Sequence, residues 1–124
     1  MTTQSTASFL TTWFAILDSA DADRIIDMIS EDFSFSILFS TGGDGATDFH
    51  GGRPELEGYL DQREVGVRTH HVLAASTVGG DELFLGEVRR LGEPEASFVA
   101  SARLDGSGRV RRLLIGRSPA VLFT

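Results

Sequence analysis

The stretch Val67–Leu91, VRTHHVLAASTVGGDELFLGEVRRL, decides how this chain folds. Strand-like stretches rich in Val, Leu, Ala and Phe flank Gly79-Gly80-Asp81, the composition a tight turn between two strands requires. Moving outward, the same grammar repeats. Strands are predicted over Val67–Val78, Glu82–Leu91, Ala96–Leu104 and Arg109–Ser118, with turns at Gly92-Glu93-Pro94 and Asp105-Gly106-Ser107-Gly108. Turns this short make neighbouring strands antiparallel.

Upstream the period changes. Phe9, Leu10, Trp13, Phe14, Leu17 and Ala20 recur at spacings of three and four, which predicts a helix capped by Ser5 or Thr6. A second, shorter helix is predicted after Asp21, carrying Ile25, Ile26, Met28 and Ile29. Phe33, Phe35, Ile37 and Phe39 then alternate as a strand, and Ser40–Gly52 reads as a Gly-rich loop. Pro54 suits the first turn of a third helix whose inward face is Leu56, Tyr59 and Leu60. The predicted order is α-α-β-α-β-β-β-β, an α+β domain spanning residues 1–124 with its helices on one face of the sheet.

Composition narrows function. The chain has 124 residues and a formal net charge of −7, one domain with no footprint for nucleic acid. Cys is absent, and all 11 basic residues are Arg, which excludes thiolate and lysine chemistry. No Gly-rich phosphate cradle opens a helix. No membrane span or secretory signal is visible, so the expected location is the cytoplasm. Asp44, Asp48 and His50 do not make a two-His-one-carboxylate set, and no metal is expected. The cluster Arg109, Arg111, Arg112 and Arg117 reads as a solvated face. Strands two and five carry apolar residues on both faces, which predicts a homodimer through the sheet face. The alternative is a C-terminal segment, Ala120–Phe123, folded back over it.

Several strings, in this order, resemble the SnoaL-like and nuclear-transport-factor-two-like superfamily: Leu17–Ile25 (LDSADADRI), Glu31-Asp32-Phe33, Phe49-His50-Gly51 and Arg68–Val72 (RTHHV). The resemblance covers nearly the whole chain. It implies a cone-shaped, curved antiparallel sheet closed by three helices around an apolar pocket, and a dimer.

Ketosteroid isomerases and scytalone dehydratase belong to that superfamily. Where the isomerases carry their phenol, base and protonated acid, this chain resembles them only in position, with Trp13, Ile37 and a residue near Ala100. None of these can do the proton chemistry. The dehydratase and SnoaL-like pattern pairs an Asp at the end of the first helix with a His in the strand after the third, and implies Asp18 and His71 as the catalytic dyad. His70, one residue away, is then expected on the opposite face. The dehydratase's second His corresponds roughly to Glu87, and its phenol to Leu17.

The implied activity is cofactor-free acid/base chemistry by a lyase or isomerase on an apolar cyclic small molecule. Asp18 would orient the imidazole and His71 would move the proton. Trp13, Phe35, Tyr59, Glu87 and Phe98 would line the pocket. Other readings stand beside these. Asp18 also suits a helix end, His71 a core imidazole, and Glu87 a cross-strand pair with an Arg. The whole domain also suits a non-catalytic ligand-binding or subunit-interaction module.

Overall fold

A computed structural model describes residues 7–38, 48–63 and 65–123. Helix α1 (Ser8–Leu17) leads into a 3-10 helix (Ala22–Met28), strands β1 (Ile29–Leu38) and β2 (Asp48–Gly51), and helix α2 (Arg53–Gln62). Strands β3 (Arg68–Val78), β4 (Asp81–Arg90), β5 (Glu93–Leu104) and β6 (Val110–Ser118) follow. The expected α+β order is present, with one strand added.

The six strands form one open sheet in the order β2-β1-β6-β5-β4-β3. From β3 to β6 every neighbour is antiparallel, as the turns dictate. β1 joins β6 in parallel, Phe35 beside Leu113 and Ile37 beside Ile115, so the sheet is mixed rather than wholly antiparallel. No short turn connects that pair, so none constrains its direction. β2 falls within the stretch read as loop. Its four residues pair with β1, Leu38 opposite Asp48 and Phe35 opposite Gly51, and carry too little alternation to announce a strand. Phe39, Asp44, Ser5 and Thr6 lie outside the described residues.

The turns are tighter than their composition implied. Val78 pairs with Asp81 around Gly79-Gly80, and Arg90 pairs with Glu93 around Leu91-Gly92. Leu91 and Gly92 both have positive φ, 52° and 86°, the two-residue geometry that matches strand twist.

The core lies between the helices and the inner sheet face. Leu10, Trp13, Phe14 and Leu17 of α1 and Leu56 and Tyr59 of α2 are buried. They cover Phe33, Phe35 and Ile37 of β1 and Phe84, Val88, Phe98, Ala100, Leu113 and Ile115 of the meander. Gly86 permits one close approach. A Cβ there would meet the Phe98 ring at 2.4 Å, so the glycine lets that ring lie flat across the strand.

α1 has no capping side chain of its own. Glu82 of β4, 6% exposed, supplies the cap across the core, its Oε2 accepting the Phe9 N–H at 3.1 Å and its Oε1 the Leu10 N–H at 2.9 Å. A carboxylate at a helix N-terminus also meets the positive end of the helix dipole. Glu82→Ala is therefore expected to cost about 2 kcal/mol, read as a lowered urea midpoint with an unchanged slope.

Candidate active site

Asp18 terminates α1. Its N–H donates to the Phe14 carbonyl at 2.9 Å, leaving the side chain to project toward β3. β3 is an edge of the sheet, so its outward N–H groups face no neighbouring strand. Asp18 fills that gap. Its Oδ2 accepts the backbone N–H of His70 at 2.7 Å, and its Oδ1 accepts from His70 Nδ1 at 2.7 Å. Both side chains are largely buried, 14% and 12% exposed. A carboxylate accepts only, so Nδ1 carries a proton and Nε2 is the ring nitrogen left to act as a base. The ring is stacked on Phe14 (centroids 4.8 Å apart) and meets Phe98 edge-on at 5.3 Å.

The expected partner, His71, is not the one Asp18 holds. A β-bulge between Val72 and Ala74 adds one residue to β3. Past the bulge Ala75 pairs with Phe84 on the inner face; before it His70 pairs with Val88 on that same face. Strict alternation counted back from Ala75 would have put His71 inside, and the extra residue exchanges the two histidines. His71 lies opposite Glu87 on the outer face, its Nε2 2.7 Å from Thr69 Oγ1.

Glu87 is likewise not a pocket residue. It is buried on the outer face and accepts from Arg89 Nε, the same-strand neighbour two residues on. Trp13, Tyr59 and Phe98 do surround His70, together with Phe14, Leu17, Ile37, Val88, Ile115 and Arg117. Phe35 is buried but stacks on Phe33, away from this lining. The enclosed space is about 20 Å³, room for roughly one water molecule. Asp48 and His50 lie on β2, and among the described residues no three His, Asp or Glu side chains gather as metal ligands.

Arg117 departs from the solvated face expected for the C-terminal arginines. Arg111 pairs with Asp32 at the surface, whereas the Arg117 side chain is 7% exposed and its Nη2 lies 2.6 Å from Glu95 Oε1. Glu95 also receives Arg68, Nε to Oε1 at 2.8 Å and Nη2 to Oε2 at 3.1 Å. Those two guanidiniums, Arg68 foremost, hold the Glu95 carboxyl at a pKa of about 2. Arg63, at the end of α2, donates to the Leu17 carbonyl at 2.9 Å and lies beside the Tyr59 hydroxyl. Burial pushes the Tyr59 phenol up, against the charges of Arg63 and Arg117.

No protein-family profile and no curated protein matches the chain by sequence. Solved structures match by shape. A candidate isomerase of the SnoaL-like family from Agrobacterium tumefaciens superposes with a TM-score of 0.68 at 11% identity, covering 90% of this chain and 95% of that one. A candidate polyketide cyclase from Sinorhizobium meliloti gives 0.63 at 17% identity, over 87% and 93%. An NTF2-like protein of unknown function from Cytophaga hutchinsonii gives 0.62 at 17% identity, over the whole of both chains. The chain therefore has the α+β cone fold of the SnoaL-like and NTF2-like superfamily.

Proposed function

We propose that the chain is a small-molecule isomerase or lyase of SnoaL-like type, working in the cytoplasm by cofactor-free acid/base chemistry on an apolar cyclic substrate. The observation that carries this is the doubly hydrogen-bonded Asp18–His70 pair facing an apolar hollow. Asp18 holds the imidazole in one tautomer and offsets its charge once Nε2 has taken a proton. Dehydration, isomerisation and cyclisation all need such a base beside an activated carbon. The candidate isomerase and cyclase among its structural neighbours support the same class.

A ring-sized ligand does not fit 20 Å³, so binding requires Trp13, Phe14, Tyr59 and Phe98 to part. That tightness favours a second reading, a non-catalytic module with this fold. Exchange of α-protons in small cyclic ketones dissolved in D₂O, followed by NMR, separates the two. An enzyme accelerates exchange through His70, whereas a non-catalytic module leaves it at the solvent rate.

The outer sheet face supports a homodimer. Leu83, Val99 and Leu114 are 42%, 58% and 52% exposed, and with Ala74 and Leu85 they line a shallow groove of about 430 Å³. The C-terminal segment does not bury itself there, since Val121, Leu122 and Phe123 are exposed too. Light scattering is expected to give twice the chain mass, and Leu114→Asp the mass of one chain. A monomeric wild type would remove the dimer.

A further inference from the structure

We propose that the segment after β6, residues 119–123, is an arm that docks in the outer-face groove of a second copy, whose own arm docks in return. The inference deepens the dimer proposed above and rests on it. Pro119-Ala120-Val121-Leu122-Phe123 carries no charge, in a chain where 23% of residues are charged. Its three large side chains, Val121, Leu122 and Phe123, are exposed. On the outer sheet face Leu83, Val99 and Leu114 are exposed as well, and with Ala74 and Leu85 they line the groove. Among the described residues, none that lines it is charged. One molecule thus presents an apolar arm and an apolar recess, and neither covers the other.

Size and reach decide which copy supplies the arm. The recess, about 430 Å³, falls within the ~300–1,000 Å³ that takes a drug-sized molecule, the size of Val121-Leu122-Phe123. Leu114 lies ~13 Å back along β6 from Ser118, at ~3.3 Å per strand residue. To fill the groove of its own chain the arm would have to reverse at once. The reversal takes Pro119 and Ala120, whose N–H donates back to Ser118 Oγ at 3.1 Å. The rest of the arm spans ~10 Å and stops short. None of it lines the groove of its own chain. An arm from a second copy has no reversal to make and reaches ~17 Å. β3 forms one wall of the groove and is a free edge of the sheet, which leaves that side open to an entering segment. Because both copies carry arm and recess, a two-fold axis closes the exchange at two chains.

The chain has no cysteine, so two introduced thiols report this contact alone. Val99→Cys and Leu122→Cys are placed in one chain and equilibrated with oxidised glutathione, which takes up the two electrons as each disulfide forms. The expected product is a covalent dimer whose digest joins positions 99 and 122. It should form at least ~10-fold faster than with Thr12→Cys and Leu122→Cys, where the first thiol sits on α1 at the opposite face of the sheet. The 99–122 linkage closed within one chain overturns the exchange, and so does a rate equal to the control. A ladder of longer covalent products overturns the two-fold closure. Truncation after Ser118 separates this inference from the dimer on which it rests. By light scattering the truncated chain is expected to show the mass of one chain at concentrations where the wild type shows two. A truncated chain that stays dimeric leaves the sheet-face dimer standing and overturns the arm. A monomeric wild type overturns both.

Discussion

His70→Ala is expected to slow catalysed α-proton exchange by ~10²–10⁴-fold, the usual contribution of a positioned base. Asp18→Asn is expected to fall in the same range, because an amide no longer dictates which imidazole nitrogen is protonated. The pair acts as one unit, so the double variant is expected to be no slower than the worse single one. His71→Ala is the internal control. It sits on the other face, bonded to Thr69, and its removal is expected to leave exchange unchanged. Loss of exchange on His71→Ala, with full rate in His70→Ala, would refute the assignment. Stability separates structural from chemical effects. Asp18 also holds an edge-strand N–H, and Asn keeps an oxygen to accept it. Asp18→Asn is thus expected to lose at most about 2 kcal/mol of unfolding free energy.

Glu95 is expected to dominate acid stability. Its carboxyl lies at about 2 when folded against an ordinary 4.5, so its contribution is complete above about pH 5. As the pH falls toward 2, the unfolded chain takes up the proton first, and stability is lost through that window. At 1.36 kcal/mol per pKa unit the contribution reaches about 3 kcal/mol, an upper figure given that a quarter of the side chain meets solvent. Glu95→Gln is therefore expected to lower the unfolding free energy at pH 7 by up to about that amount. The wild-type advantage should shrink as pH drops from about 5 to 2. A difference between the two proteins that stays constant with pH would contradict the ion-pair account. Asp32, Asp81 and Asp105 are also held low, by bonds to Ser30, Arg103 and Ser107 first. They are common to both proteins, so the subtraction removes them.

Much of the architecture was readable from local chemistry. The stripe Leu10, Trp13, Phe14, Leu17 specifies α1, and the Gly-centred turns specify an antiparallel meander, because each signal is complete within a few residues. Asp18 was legible locally only as a helix end, and its place in the site came from the family resemblance. Its partner was not legible. Which of two adjacent histidines faces the core depends on whether β3 carries a bulge, and Leu73 looks like any other strand residue. Arg117 was hidden among arginines of identical chemistry, and only the placement of Glu95 draws it inside while Arg111 and Arg112 turn to Asp32.

By itself, then, the order of residues determined the α+β layout, the antiparallel hairpins, the buried stripe and the acid that ends the first helix. The tertiary structure alone decided the parallel seam between β1 and β6, the capping of α1 by Glu82, and which histidine and which arginine share the hollow. The reason is range. Periodicity and turn preference act between residues a few positions apart, whereas Asp18 and His70 meet across 52 positions and Leu10 and Glu82 across 72. Such contacts exist only once the sheet has curved under its helices.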